Sequence, residues 1–131
     1  MFSHEKLRFY PLSIDFVAWT QPLIESVPAK VSAKDQLERA STSIPLNIAE
    51  GNAKFSLADR ARYLQTAVGS AVECAACLDV LVSRKIKAAA EVADGKRQLE
   101  TIVGMLMGLL DRFGYRFDDD VRLREDEPEE R

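Results

Sequence analysis

The stretch SLADRARYLQTAVGSAVECAACLDVLVSRK, from Ser56 to Lys85, decides the fold class. Its apolar side chains recur at helical spacing, so that they share one face of a helix. No proline interrupts it, and Ser56 with Asp59 resembles a capping box at the start. At about 1.5 Å per residue, this stretch predicts a rod of about 45 Å. The apolar stripe consists of Leu57, Leu64, Val68, Ala71, Ala75, Leu78 and Val82.

Two helices are predicted before this one. The first covers about 13–27, after an irregular arm that ends at Pro11. The second begins near Ser32 and continues through Pro45, which predicts a bend within it. Gly51 suits the left-handed position that follows a helix, and it should end this second helix.

A fourth helix is predicted over about 89–113, with Leu99, Leu106 and Leu110 in its stripe. Further apolar residues widen its apolar surface, which indicates more than one packing partner and is the best intrinsic hint of oligomerisation. No segment shows the strict alternation of a strand. Short linkers favour antiparallel neighbours. The sequence therefore predicts an all-α, antiparallel up-down-up-down four-helix bundle, with its second helix kinked at Pro45.

Composition and charge divide the chain into a body and a tail. Hydrophobic residues make up 47% of the 131 residues, enough for one core. Residues 118–131 hold eight acids and three bases, whereas residues 1–117 hold thirteen acids and fifteen bases. We therefore predict one bundle domain over 1–117 and an acidic, mobile tail over 118–131. A nearly neutral body neither requires nor excludes a polyanionic partner.

The chain also lacks obvious targeting signals. No apolar run reaches the ~18 residues of a membrane span, and the N-terminus has no signal-peptide core. Two cysteines cannot build a disulfide scaffold, and they suit a reducing compartment. We expect a cytoplasmic protein that does not enter a membrane.

Two pairs of residues invite a chemical reading. Cys74 and Cys77 share a helical face, but a zinc site needs about four ligands, so packing of small residues is the simpler interpretation. Glu50 and Glu73 lie in apolar stretches, where a buried carboxylate needs partners or a raised pKa. An acid/base or metal pair is one reading of them. We favour structural polar contacts between helices, which involve Asn47, Ser70 or Arg39.

Other features are less specific. Gly104 and Gly108, four residues apart, are interpreted as core packing, with a subunit contact as the alternative. Trp19 and Tyr63 are interpreted as packing residues. Basic residues cluster at both ends of the third helix, where they could contact phosphates or simply be solvated. These basic residues are Lys54, Arg60, Arg62, Arg84, Lys85 and Lys87.

The string SIPLNIAEG over Ser43–Gly51, followed by AVGSAVE over Ala67–Glu73, resembles a family. This is the four-helix-bundle family named for proteins encoded in intervening sequences of bacterial 23S rRNA genes. It is related to the accessory variability determinant of diversity-generating retroelements. The resemblance implies ring-like homo-oligomers, commonly pentamers. It also implies fold and assembly roles, without an established catalytic role, for the family-motif residues Asn47, Glu50, Gly51, Ser70 and Glu73.

The sequence therefore favours a non-enzymatic helical bundle that forms a homo-oligomer and serves as a binding or scaffold module. No catalytic residue, metal site or cofactor site is predicted. The alternative is an accessory protein that binds RNA or DNA, associated with rRNA or with a reverse transcriptase. A third hypothesis, a metal-dependent enzyme that uses Glu50 and Glu73, has the least support.

Overall fold

The structure is a computed structural model that describes residues 2–115. Over this range the chain forms a 3₁₀ turn at Ser3–Lys6, four α-helices and no strand. The prediction of an all-α fold is confirmed. The predicted tail over 118–131 lies outside the described residues. The helices are α1 (Phe9–Ser26), α2 (Ser32–Asn52), α3 (Leu57–Ser83) and α4 (Ala89–Arg112).

The helices pack as a bundle around one core. α2 contacts α1 and α3, and α4 likewise contacts α1 and α3. The predicted stripe residues Leu64, Leu78, Leu99 and Leu110 are all buried, so the helical period identified the core faces correctly. The up-down-up-down order of chain directions stays a prediction. The largest fully buried side chains are Phe16, Leu37, Ile44, Ile48, Leu78, Leu81, Ile102 and Leu106.

The start of α1 corrects the sequence prediction. An irregular arm was expected through Pro11, but α1 begins at Phe9 and includes this proline as its third residue. The first N–H groups of a helix have no carbonyl partner within it, so a proline there removes no hydrogen bond. Pro22 and Pro45 also lie within continuous helices. The predicted bend at Pro45 stays a prediction.

Gly51 has a different role from the predicted one. It does not end α2 in a left-handed conformation, because α2 continues to Asn52 and the backbone of Gly51 has no positive φ. A Cβ atom on Gly51 would lie 3.0 Å from the Cβ atom of Tyr63 and 3.3 Å from the carbonyl oxygen of Arg60. A side chain at position 51 would therefore crowd α3, because α2 and α3 approach each other closely here.

The ends of α3 follow from local hydrogen bonding. Ser56 Oγ accepts a hydrogen bond from the Asp59 backbone N–H at 3.1 Å, as expected for an N-cap residue. Leu57, the first residue of the helix, is 54% exposed, so the buried stripe begins later than predicted. The helix ends at Ser83, two residues before the predicted end, and Lys85 adopts a left-handed φ of 61°.

The wide apolar surface of α4 is used within the chain. Ile102 is fully buried, while Met105 and Leu109 are half-buried against the core. α4 contacts both α1 and α3, so its broad stripe serves two neighbouring helices. Gly104 and Gly108 are exposed, and a Cβ atom on either would meet nothing within 4 Å. The prediction that these glycines pack in the core was wrong, because they lie on the opposite side of α4 from its stripe.

Candidate interaction surface on α2 and α3

A small hydrogen-bonded cluster connects α2 to α3. Asn47 Nδ2 donates to the carbonyl oxygen of Ser43 at 2.8 Å and to Ser43 Oγ at 2.9 Å. Ser70 Oγ, on α3, donates to Ser43 Oγ at 2.8 Å. The predicted polar contact through Asn47 and Ser70 is therefore present, and it runs through Ser43, which the sequence analysis missed. Arg39 is exposed and takes no part in this cluster.

Ser43 could have been found from its position in the sequence. It lies one helical turn before Asn47, so the two side chains share a face of α2. Its hydroxyl can accept and donate, which suits the centre of a polar cluster between two helices. Because Ser70 is 9% exposed, this cluster lies close to the surface of the α2–α3 contact.

Glu50 and Glu73 are exposed, so the premise of a buried carboxylate pair was wrong. Their neighbours along the chain are apolar, but a helix directs those neighbours to other faces. Glu50 forms an ion pair with Lys54, which follows the end of α2, at 3.5 Å between Oε2 and Nζ. Among residues 2–115 no group of three or more His, Cys, Asp or Glu side chains could hold a metal ion.

Large apolar side chains are exposed next to these polar residues. Leu46 of α2 is 60% exposed, and Val72 and Val80 of α3 are 56% and 39% exposed. By helical register, Leu46, Asn47 and Glu50 lie on one side of α2, and Val72, Glu73 and Val80 lie on one side of α3. We call these two sides together the α2–α3 outer face and define it by Leu46, Asn47, Glu50, Val72, Glu73 and Val80.

The exposed side of α3 carries apolar as well as polar side chains. The most apolar 18-residue stretch of α3 is only 39% buried within the chain. By length and composition alone α3 could cross a membrane, but core helices of soluble proteins pass the same test. The inner face of α3 is typical of a core helix, because Leu64, Leu78 and Leu81 are buried in the bundle. Packing within the bundle therefore does not account for the exposed apolar side chains of Val72 and Val80.

One group of predicted basic residues surrounds Tyr63, where α2 leads into α3. The Lys54 Nζ atom lies 5.2 Å from the centre of the Tyr63 ring, and the Arg62 guanidinium carbon lies 5.4 Å from it. Arg62 also forms an ion pair with Asp59 at 3.5 Å. Arg60 Nε donates to the carbonyl oxygen of Lys54 at 2.6 Å. These cations therefore have partners within the chain, and Tyr63 packs as predicted.

The other basic group lies at the opposite end of α3, about 40 Å away for a helix of this length. Lys87 forms an ion pair with Glu91 at 3.4 Å. Arg84 and Lys85 are exposed and have no ion pair within residues 2–115. The structure does not bring the two basic groups together in one chain, so a single continuous phosphate-binding surface does not form.

The two cysteines are packing residues in this bundle. Cys74 and Cys77 are 0% and 4% exposed. Burial, followed by the neighbouring Cys77 and the charge of Glu73, raises the pKa of the Cys74 thiol to about 12. Burial also raises the pKa of Cys77. A thiol with a raised pKa is a poor nucleophile and metal ligand, which agrees with the packing interpretation.

Comparison with known proteins identifies the family and leaves the function open. A solved structure with a similar fold is a protein of unknown function from the S23 ribosomal protein family of Bacteroides thetaiotaomicron. The TM-score is 0.73 at 21% identity, over 78% of this chain and 97% of that one. No curated protein matches the chain.

The link to the retroelement determinant, which the sequence resemblance implied, stays a prediction. The family itself is shown by a model that covers most of the bundle. The model described as 23S rRNA-intervening sequence protein matches residues 5–108, from the 3₁₀ turn into the last turns of α4. This chain therefore belongs to the 23S rRNA-intervening sequence protein family.

Proposed function

We propose that the protein is a non-enzymatic binding or scaffold module that works as a ring-like homo-oligomer, with the α2–α3 outer face as a subunit contact. The observation that carries this proposal is the exposure of Leu46 and Val72 beside the family-motif residues Glu50 and Glu73. The resemblance of the motif to ring-forming proteins favours a pentamer. Free Cys74 and Cys77 agree with a reducing, cytoplasmic location.

Burial of this face in an assembly would remove apolar surface from water. Each square ångström of apolar surface that is buried stabilises an assembly by about 25 cal/mol. Subunit interfaces commonly combine an apolar centre with a polar rim. Leu46, Val72 and Val80 would supply the apolar centre, and Glu50 and Glu73 the rim.

A second copy of this chain suits the face better than a small ligand does. The outer side of α3 includes Gly69 and Ala76, which are exposed and carry little or no side chain. A Cβ atom on Gly69 would meet nothing within 4 Å. Small residues allow another helix to approach closely, and the face is an elongated helical surface without an enclosing wall. We therefore assign its occupant as another subunit.

Charge placed at the centre of this face should break the assembly. We expect the double variant Leu46→Lys/Val72→Lys to shift from the oligomer towards the 14.6 kDa single chain, because two ammonium groups would be desolvated at the contact. Light scattering coupled to size exclusion measures the mass, and circular dichroism checks that the helices persist.

Ile14→Lys is the matched control, because Ile14 is an exposed apolar residue at 43% but belongs to α1. It should keep the mass of the wild-type protein. A wild-type chain that is monomeric at all concentrations would refute the proposal. A double variant that assembles like the wild type would refute the assignment of this face.

Nucleic-acid binding is a second candidate function, favoured by one observation. Phe55, in the loop between α2 and α3, is fully exposed and directly follows Lys54 in the chain. An exposed aromatic ring flanked by cations can stack on an unpaired base while the cations contact phosphates. An assembled ring would also repeat each basic group around its circumference.

This second function predicts binding that weakens steeply with salt and depends on the aromatic ring. We expect Phe55→Ala to weaken binding to a single-stranded RNA by about 10-fold, from the loss of one stacked base. Fluorescence anisotropy at several salt concentrations measures both effects. Phe2→Ala is the control, since Phe2 is also exposed, at 73%. Absent or salt-insensitive binding would rule this function out.

A further inference from the structure

Three cations lie together where α2 leads into α3. The Lys54 Nζ atom and the Arg62 guanidinium carbon lie 5.2 Å and 5.4 Å from the centre of the Tyr63 ring. Arg60 Nε donates to the carbonyl oxygen of Lys54 at 2.6 Å. The three positive charges therefore occupy one small area of the surface.

The ion pairs that these cations form within the chain are weak. Lys54 lies 3.5 Å from Glu50, and Arg62 lies 3.5 Å from Asp59. A close charge-assisted hydrogen bond is about 2.7–2.9 Å long, and ion pairs at the surface contribute little to stability. Three cations with two carboxylates also leave one positive charge. These cations are therefore free to exchange their partners for other carboxylates.

Two large apolar side chains lie beside the cations. Phe55 is fully exposed, and Leu57, the first residue of α3, is 54% exposed. Burial of such side chains is favourable, and no other part of the described chain covers them. A segment that fits this surface therefore combines carboxylates with apolar side chains. We call the surface the basic turn and define it by Lys54, Phe55, Leu57, Arg60 and Arg62.

Residues 116–131, which follow the described part of the chain, have this composition. Their sequence is RFDDDVRLREDEPEER, in which Phe117 directly precedes three aspartates. They hold eight acids and four bases, a net charge of −4, whereas residues 1–115 hold thirteen acids and fourteen bases, a net charge of +1. We call residues 116–131 the acidic segment. It is complementary to the basic turn in charge and in apolar character.

The acidic segment begins close to the basic turn in the predicted antiparallel order. Only residues 84–88 connect α3 to α4, and Lys96 of α4 pairs with Asp79 of α3 at 2.5 Å. Each helix advances about 1.5 Å per residue, so α4 running back along α3 brings Arg112 beside Tyr63. The sixteen residues of the segment extend to at most about 53–58 Å. The segment therefore reaches the basic turn without strain.

We propose that the acidic segment binds to the basic turn of the same chain and competes there with single-stranded nucleic acid. Its aspartates take the place of phosphates, and Phe117 takes the place of a base against Phe55. The basic group at the other end of α3 is about 40 Å away, and a tethered segment favours the nearer site. The competition rests on the second candidate function, whereas the binding of the segment does not.

Disulfide trapping in the full chain tests where the segment binds. Ala58→Cys/Val121→Cys introduces one thiol at the exposed start of α3 and one in the segment, while Cys74 and Cys77 are buried and do not interfere. The matched control is Ala90→Cys/Val121→Cys, because Ala90 is also exposed but lies at the start of α4. We expect the Ala58 pair to form its intramolecular disulfide at least about 10-fold faster at low salt.

Salt separates binding from tethering. Screening of the charges weakens the contact between the segment and the basic turn, so the difference between the two disulfide rates should shrink at high salt. A tether alone gives a difference that salt does not change. Equal rates, or a difference that salt does not change, would overturn the proposal. A disulfide between two chains would overturn the assignment to the same chain.

Fluorescence anisotropy with a single-stranded RNA measures the competition in full-length variants. Asp118→Asn/Asp119→Asn/Asp120→Asn should tighten RNA binding about 10-fold, because the segment loses its ion pairs with the basic turn. Phe117→Ala should tighten it about 3-fold without any change in charge, because the segment loses its contact with Phe55. Unchanged RNA binding in both variants would overturn the competition.

Glu127→Gln/Glu129→Gln/Glu130→Gln is the charge-matched control, since it removes three carboxylates further from Phe117 and should have a smaller effect. Equal tightening by both triple variants, with none from Phe117→Ala, would show that the segment only repels nucleic acid and would overturn its binding to the turn. Absent RNA binding in every variant would refute the second candidate function and the competition with it. The disulfide rates alone then decide whether the segment binds.

Discussion

Leu106→Asp is expected to abolish folding of the bundle. Leu106 is 0% exposed and lies in the middle of the α4 stripe. The substitution removes a buried leucine side chain and places a carboxylate in an apolar core without a partner, which together cost about 5 kcal/mol or more. A domain of this size has a total stability of about 5–15 kcal/mol. Circular dichroism and thermal melting should show lost helicity or a strongly lowered melting temperature.

Gly104→Asp provides the control for this prediction. It introduces the same charge into the same helix, but Gly104 is exposed and a new side chain would meet nothing within 4 Å. We expect a change of less than about 0.5 kcal/mol in the free energy of unfolding. Native helicity and an unchanged melting temperature in Leu106→Asp would contradict the placement of this residue in the core.

Gly95→Ala is expected to destabilise the bundle, although alanine is the better helix former. A Cβ atom at this position would lie 2.3 Å from two ring carbons of Trp19, and the ring is packed against Phe16. Overpacking of this kind costs about 1–3 kcal/mol, which equals or exceeds the gain of up to about 1 kcal/mol from replacing a helical glycine. Urea denaturation should show a lower midpoint, and the fluorescence of Trp19 should change as its ring is displaced.

Gly104→Ala should have the opposite effect and stabilise the bundle. An alanine there meets no neighbouring atom, so only the helix propensity counts and the free energy of unfolding should rise by about 0.5–1 kcal/mol. The pair of variants thus separates a tertiary effect from a local one. Equal stabilisation by both alanines would show that α1 and α4 do not approach each other as closely as the structure indicates.

The helices of this protein could largely be predicted from local patterns. The stripe through Leu64 and Leu78 marked the buried face of α3, and Ser56 marked its start. These signals depend on interactions within a few residues, so the sequence displays them directly. The start of α1 was missed because proline was treated as a helix breaker, whereas in the first turn it removes no hydrogen bond.

The candidate surfaces depended on contacts between distant residues. The sequence indicated that Asn47, Glu50 and Glu73 belong to a motif, but it could not show that both glutamates are exposed. Whether a side chain is exposed depends on which side of its helix the other helices cover. The prediction instead relied on the apolar residues that are adjacent to each glutamate in the sequence. The contact between Ser43 and Ser70 joins residues 27 positions apart, a separation that no local period reports.

By itself, the sequence determined an all-α protein with four amphipathic helices, because helical period, capping and proline placement act over short distances. Only the tertiary structure decided which side chains contact each other between helices and which stay exposed. It placed Gly51 against Tyr63 and Gly95 against Trp19, and it left Leu46 and Val72 exposed. These features follow from how closely two helices approach and which faces they cover, and such distances are fixed by packing across the whole bundle.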